Sequence, residues 1–205
     1  MFTLCFVLAL VAYASGYHLD TDEMGTDSDL ILKFMSNGNQ NVGAKKTQLV
    51  NFSFNNCADP KTEIAPLSNV QISPDPIKLP GVAKVSGNIA IKSQFGAPLQ
   101  AKLDVWEKNQ ETKSWDYIEC RGSLGSCSYS GLCTLMAEID CPDALKKLGF
   151  NCICPFPAGN FTIPQLEIPL EKFPIPVNGE FKIKATVTSG GKLVTCAQVD
   201  INIVD

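Results

Sequence analysis

Eight cysteines fall between Cys57 and Cys196, and six of them (Cys120, Cys127, Cys133, Cys141, Cys152 and Cys154) crowd into one stretch near the middle. No other feature limits the possible folds as sharply, because each cross-link forces two segments of chain to within a few ångströms of one another. Cys152-Ile153-Cys154 and the pair Cys127 and Cys133 also bring thiols close enough to consider zinc. Structural zinc sites, however, prefer Cys-x₂₋₄-Cys pairs at regular spacing, and the one histidine, His18, stands far from all eight thiols in the sequence. Disulfides are the better reading. Spacing leaves the partners open, since eight thiols can pair in many ways. A bridge from Cys57 to Cys196, if formed, would close a loop over most of this region and contribute roughly 4 to 5 kcal/mol in the chain-entropy account.

Disulfides belong to oxidising compartments, and the N-terminus carries the signal for reaching one. Residues 2–14 are apolar except Thr3, fall short of the ~20 residues that a membrane-spanning helix needs, and lead into Ala14-Ser15-Gly16. Small residues at Ala14 and Gly16 predict a signal peptide over 1–16, cut before Tyr17, and a secreted product. Residues 17–47 hold no cysteine and are acidic between Asp20 and Asp29, which predicts a polar pro-segment or mobile arm. Lys45-Lys46 near its end is a candidate processing pair. Residues 48–205 then form one domain by length.

Within that domain the dominant pattern has period two. Val85, Gly87, Ile89 and Ile91; Leu99, Ala101, Leu103 and Val105; Phe181, Ile183, Ala185 and Val187; and Val199, Ile201 and Ile203 alternate with polar residues. This predicts antiparallel strands buried on one face, a mostly β fold. Ser189-Gly190-Gly191-Lys192 reads as a hairpin turn. Helix is expected only in 131–140 and 142–149, the second opened by Pro142 and closed by Gly149.

The chemistry that such a domain can support is limited by what it lacks. Without a histidine it has no ordinary general base, and paired cysteines leave no thiol nucleophile. Carboxylate pairs survive on paper, Glu107 with Glu111 or Glu167 with Glu171, but charges near turns are more often a solvated face. Nothing calls for a cofactor or metal. Arg121 is the single arginine and the net charge is −4, so a nucleic-acid partner is not expected. Non-covalent binding is the remaining reading. Sequons at Asn51-Phe52-Ser53 and Asn160-Phe161-Thr162 are candidate glycosylation sites. Four prolines (164, 169, 174 and 176) punctuate the apolar run 161–177 and forbid a helix or central strand there. The expectation is an edge strand over Ile163–Ile168 and an apolar rim loop over Leu170–Val177. A second Pro-rich run, 66–80, reads as a kinked strand leading into the sheet.

Four motifs in order carry a resemblance: Phe52-Ser53-Phe54-Asn55-Asn56-Cys57; Pro74-Asp75-Pro76-Ile77; Gly125-Ser126-Cys127; and Cys152-Ile153-Cys154-Pro155-Phe156 with Gly159. Together they resemble the GM2 activator family of lysosomal lipid-binding proteins. The resemblance implies four bridges, Cys57 to Cys196, Cys120 to Cys127, Cys133 to Cys154 and Cys141 to Cys152. It also implies an antiparallel β-cup with one or two short helices around an apolar lipid cavity. Ile89, Ile91, Leu103, Val105, Ile183 and Val187 would line that cavity, and Leu170, Phe173, Pro174, Ile175 and Val177 would form its rim. The implied partners are a membrane lipid (ganglioside, glycolipid or phospholipid), transient membrane contact and a lysosomal β-hexosaminidase, with the lysosome as a destination. The protein would act without catalysing a reaction. Carriage of phospholipids or other hydrophobic ligands without an enzyme partner is the alternative. The chain departs from the family between Cys133 and Cys141, where it is shorter, and at Phe173-Pro174-Ile175, where the family has an exposed tryptophan.

Overall fold

The computed structural model describes residues 52–122, 124–138, 140–171 and 177–204. The leader, the acidic segment, Asn51, and the rim residues Phe173, Pro174 and Ile175 lie outside the described residues.

In chain order the strands are β1 (Ser53–Asn56), β2 (Leu67–Ser73), β3 (Ile77–Lys78), β4 (Gly81–Ile91), β5 (Leu99–Lys108), β6 (Trp115–Tyr117), β7 (Ser128–Tyr129), β8 (Gly159–Leu170), β9 (Gly179–Ser189) and β10 (Lys192–Val204). Two short helices, α1 (Leu132–Ala137) and α2 (Asp143–Lys146), fall between β7 and β8. The larger sheet runs β1-β10-β9-β5-β6, with β3 beside β10 and β7 beside β5; the smaller runs β2-β4-β8. Every pairing is antiparallel except β3 with β10. The four segments with period-two patterning lie in β4, β5, β9 and β10, each with its apolar face turned to the core.

Gly190 and Gly191, at φ 55° and 77°, join β9 to β10 in a two-residue turn. Both positions need positive φ, where glycine bears no Cβ penalty, so the hairpin expectation holds for a physical reason. The helices are shorter than 131–140 and 142–149. Pro142 stands immediately before α2, and Gly149 at φ 77° ends the turn as Phe150 N–H donates to the Leu145 carbonyl at 3.0 Å.

The proline-punctuated run forms β8, an edge strand, and tolerates its prolines for two reasons. The register slips between Val85↔Leu166 and Gly87↔Ile163, so Pro164 and Gln165 sit in a bulge where ladder bonds are already interrupted. Pro169 lies near the end, opposite Val82. Leu170, expected in a loop, is instead the last residue of β8, paired with Gly81 and buried. The other Pro-rich run crosses between sheets: β2 ends at Ser73, and Ile77 and Lys78 then pair with Ile203 and Val204.

The two sheets are closed against each other along both sides. On one, Asn56 Nδ2 donates to the Leu67 carbonyl at 2.9 Å, holding β1 to β2. On the other, α1 packs on β5 and α2 on β8, spanning the gap. Cys133–Cys154 and Cys141–Cys152 hold this helical insert together; Cys120–Cys127 closes the preceding loop, and Cys57–Cys196 joins the start of the domain to β10. These are the four pairs that the family resemblance implies.

Candidate functional site

The interior between the sheets is lined by aliphatic and aromatic side chains, and its two ends differ. Along β5 the inward residues Leu99, Ala101 and Leu103 are 1%, 3% and 6% exposed, Val105 is half-buried and Glu107 is exposed. Exposure along β9 climbs from 0% at Val187 to 8% at Phe181, and along β10 from 0% at Val194 to 7% at Ile203. Register places Glu107, Phe181 and the Gly179–Ile203 pair at one end, so all three gradients rise in one direction. The half-buried Ile168 and Val177 lie towards that end as well. The inner face of the larger sheet is therefore least covered at that end, although on the smaller sheet Ala83 and Leu170 stay buried there at 0% and 4%. Ile77 and Leu79, delivered by the Pro-rich crossover, cover part of it.

The opposite end is plugged. Phe150 stacks on Phe156 with centroids 5.3 Å apart, Phe95 lies 5.2 Å from Phe156, and Phe161 meets Phe150 edge-on at 5.5 Å. A two-way backbone bridge, Phe156 N–H to the Phe95 carbonyl at 2.7 Å and the reverse at 3.3 Å, fastens the plug to the segment before β5.

Of the residues assigned to the cavity by resemblance, Ile89, Ile91, Leu103, Ile183 and Val187 are buried on the inward faces of β4, β5 and β9, and Val105 is half-buried nearer the opening. Leu170 is buried in β8, and Val177 is half-buried. Sequence reading placed Phe181 on a buried strand face without assigning it to the cavity, and missed the contributions of Leu166 and Ile163 and the whole aromatic plug. Ile163 and Leu166 follow no strict alternation because the bulge intervenes, and the phenylalanines of the plug come from loops with no periodicity.

The carboxylate pairs named on paper are arranged differently. Glu107 stands opposite Asp116 of β6; although the residue is exposed as a whole, its carboxyl is partly desolvated by its neighbours, and that first and the Asp116 charge second raise its pKa. Asp116 accepts from Asn109 Nδ2 at 3.0 Å and Ser114 Oγ at 3.1 Å. Glu111 lies in the exposed turn after β5, and Glu167 is ion-paired with Lys84 at 3.1 Å. On the larger sheet's outer face, Lys108 meets Glu180 at 2.6 Å, Lys102 meets Asp104 at 2.9 Å, and Lys182 caps the Trp115 ring at 4.3 Å. Those charges neutralise one another locally. Among the described residues no group of three or more His, Cys, Asp or Glu could hold a metal ion, and no helix is long and apolar enough to cross a membrane.

Glu63, Glu180 and Asp104 are the buried acidic residues among those described, and Glu63 is the one with no ion-pair partner within 4.0 Å. Glu63, 1% exposed, accepts a hydrogen bond from the Cys196 backbone N–H, next to the bulge in β10. The strand-like segment around it is strapped down by Ala65 N–H to the Val194 carbonyl at 2.8 Å and Lys92 N–H to the Ile64 carbonyl at 2.8 Å. Desolvation is the largest influence and raises the Glu63 pKa, with Asp59 acting in the same direction; the Cys196 amide, Lys92 and the nearby Thr195 hydroxyl oppose it. Glu63 Oε2 and Thr195 Oγ1 nonetheless complete no hydrogen bond. A carboxyl with a raised folded pKa stabilises the fold fully at pH below its unfolded value, and that contribution is lost as pH rises through the folded value. Glu107 acts in the same sense. Stability should therefore increase on acidification from neutrality into the upper carboxylate range. Glu63→Gln keeps the acceptor for Cys196 N–H and supplies a neutral donor towards Thr195. We expect its melting temperature to exceed the parent's at neutral pH, with the gap closing as pH falls, as read by circular dichroism across a pH series.

A solved structure of a Niemann-Pick type C2 protein from the Japanese carpenter ant overlays 74% of this chain and 98% of its own, with a TM-score of 0.41 and 14% identity. In sequence, the mouse (Mus musculus) ganglioside GM2 activator is 33% identical over 172 residues, covering 77% of this chain and 84% of its own. The Macaca fascicularis ganglioside GM2 activator is 28% identical over 160 residues, covering 74% and 83%. A model of the ML domain matches residues 51–203, and with these relatives it establishes that the chain belongs to the ML-domain family, among the proteins similar to ganglioside GM2 activator.

Proposed function

We propose that this protein is a non-catalytic lipid binder that takes the acyl chains of a membrane lipid into the interior between its sheets and leaves the headgroup at the open end. The observation that carries the reading is the shared direction in which the inner faces of β5, β9 and β10 lose cover, which makes that end the natural entrance to the apolar interior. At ~0.8 kcal/mol per buried CH₂, two long acyl chains provide ample driving force to leave a bilayer. Glu107 and Asp116 stand at the same end, where polar groups of a headgroup would lie. The relatives named ganglioside GM2 activator support a glycolipid as ligand; presentation of its sugar to a soluble glycosidase such as a β-hexosaminidase is the finer part of the proposal. Secretion followed by delivery to the lysosome, where such an activator would meet its enzyme, is part of the proposal.

Protein purified from an expressing eukaryotic cell is expected to carry lipid that organic extraction releases for mass spectrometry. A sialylated glycolipid supports presentation to a glycosidase, and phospholipid or fatty acid supports carriage without one. Lipid-free protein that also fails to take up labelled ganglioside or phospholipid would sink the proposal.

A further inference from the structure

We infer that Asn160 carries an N-linked glycan and that this sugar marks the end of the molecule that stays away from membranes. The modification rests on export of the chain, and the orientation rests on the lipid-binding reading above.

The geometry of the sequon supports its use. Asn160 and Thr162 are both exposed on β8, while Phe161 between them turns inward to Phe150. Gly159 accommodates this arrangement: a Cβ there would lie 3.0 Å from the Phe161 ring, so glycine leaves room for the ring on the inner face while strand alternation turns the two polar residues out. Among the described residues none hydrogen-bonds to the Asn160 side-chain amide. The Asn160 and Thr162 side chains both project from the exposed face of β8, the face turned away from the core, which leaves room for a bulky substituent.

The step needs a lipid-linked oligosaccharide diphosphate and the transferase that uses it. The Asn160 Nδ2 bonds to the anomeric carbon, the bond from that carbon to the diphosphate oxygen breaks, the amide gives up one proton, and the lipid diphosphate departs. The Thr162 hydroxyl, two residues on, is part of the acceptor sequence.

Position gives the glycan its consequence. Asn160 pairs with Ala90 beside the phenylalanine plug, whereas Pro169 pairs with Val82 beside the opening. Pro169 stands nine positions after Asn160 along β8, a span of up to about 30 Å at the rise of a β-strand. Val82 is 46% exposed, an apolar side chain on the outer face next to the open end. The plug end has exposed aliphatic residues of its own, Leu148 at 39% and Ile153 at 58%, so it is the hydrated glycan that bars that end from a lipid bilayer and leaves the end beside Val82 free to approach it.

The test uses the full chain secreted from eukaryotic cells. Peptide-N-glycosidase is expected to lower the mass of the parent and of Thr162→Ser, and peptide mass spectrometry to locate the sugar at position 160. Asn160→Gln and Thr162→Val should lack that sugar. Secreted parent protein with an unmodified Asn160 would overturn the inference. For orientation, uptake of labelled ganglioside from phosphatidylcholine vesicles should be unchanged after the glycan is removed. Val82→Asp should slow uptake by about tenfold or more, because a carboxylate must then approach the bilayer. Faster uptake on deglycosylation, or no effect of Val82→Asp, would overturn the orientation. Absence of uptake by the parent would instead count against the lipid-binding reading and leave the mass result standing.

Discussion

Replacing Cys57 and Cys196 together by alanine should lower the free energy of unfolding by about 4 to 5 kcal/mol, the loop-closure value for a bridge of this span. The two residues are 139 apart in sequence, and their Cα atoms lie 5.1 Å apart. In the unfolded chain the bridge removes a large set of conformations; in the folded one the Cys57 N–H still donates to the Cys196 carbonyl at 3.0 Å, so the native geometry survives without the covalent link. The loss is comparable with the whole stability of a marginal domain and corresponds to a fall in melting temperature of roughly 10 to 20 °C. Removing Cys120–Cys127, which spans only 7 residues, should cost much less. Thermal denaturation of the two double variants, compared at one pH, checks both the size and the order.

Phe156→Ala is expected to cost about 3 to 5 kcal/mol, because the side chain is 1% exposed and the cavity left behind cannot collapse between ring neighbours held from both sides. The damage should be local in kind as well as large. Phe156 is where the helical insert, the segment before β5 and the start of β8 come together, so its loss should release amide protection first at residues 131–157. Hydrogen exchange resolves this, and Phe161→Ala provides the comparison: its ring is only partly buried, so a smaller cost is expected. If protection falls evenly over both sheets, the phenylalanine cluster is not a separate plug.

How much of this was readable beforehand depended on whether a feature leaves a local signature. Alternation exposed β4, β5, β9 and β10, the Gly190-Gly191 pair announced its hairpin, and Pro142 with Gly149 bracketed α2. Strands of two to four residues, such as β1, β3, β6 and β7, are too short for a period to show. The bridges followed from family motifs, since spacing leaves pairing open. The direction in which the interior opens was hidden, because it depends on how β5, β9 and β10 are staggered against one another. Glu63 was equally hidden: an acid in an aperiodic segment looks solvated until β10 is seen to cover it.

Strand β10 has three strand neighbours, β1, β9 and β3, and also receives the Cys57 bridge, yet it is made after every one of them. Until the ribosome has released residues 192–204, β1 has no partner in the larger sheet and the thiol of Cys57 has nothing native to join. Cys120 and Cys127 need not wait. Birth order thus divides the staples into early and late, and the half-made chain must keep its future inner faces out of aggregates while the last strand is still being synthesised.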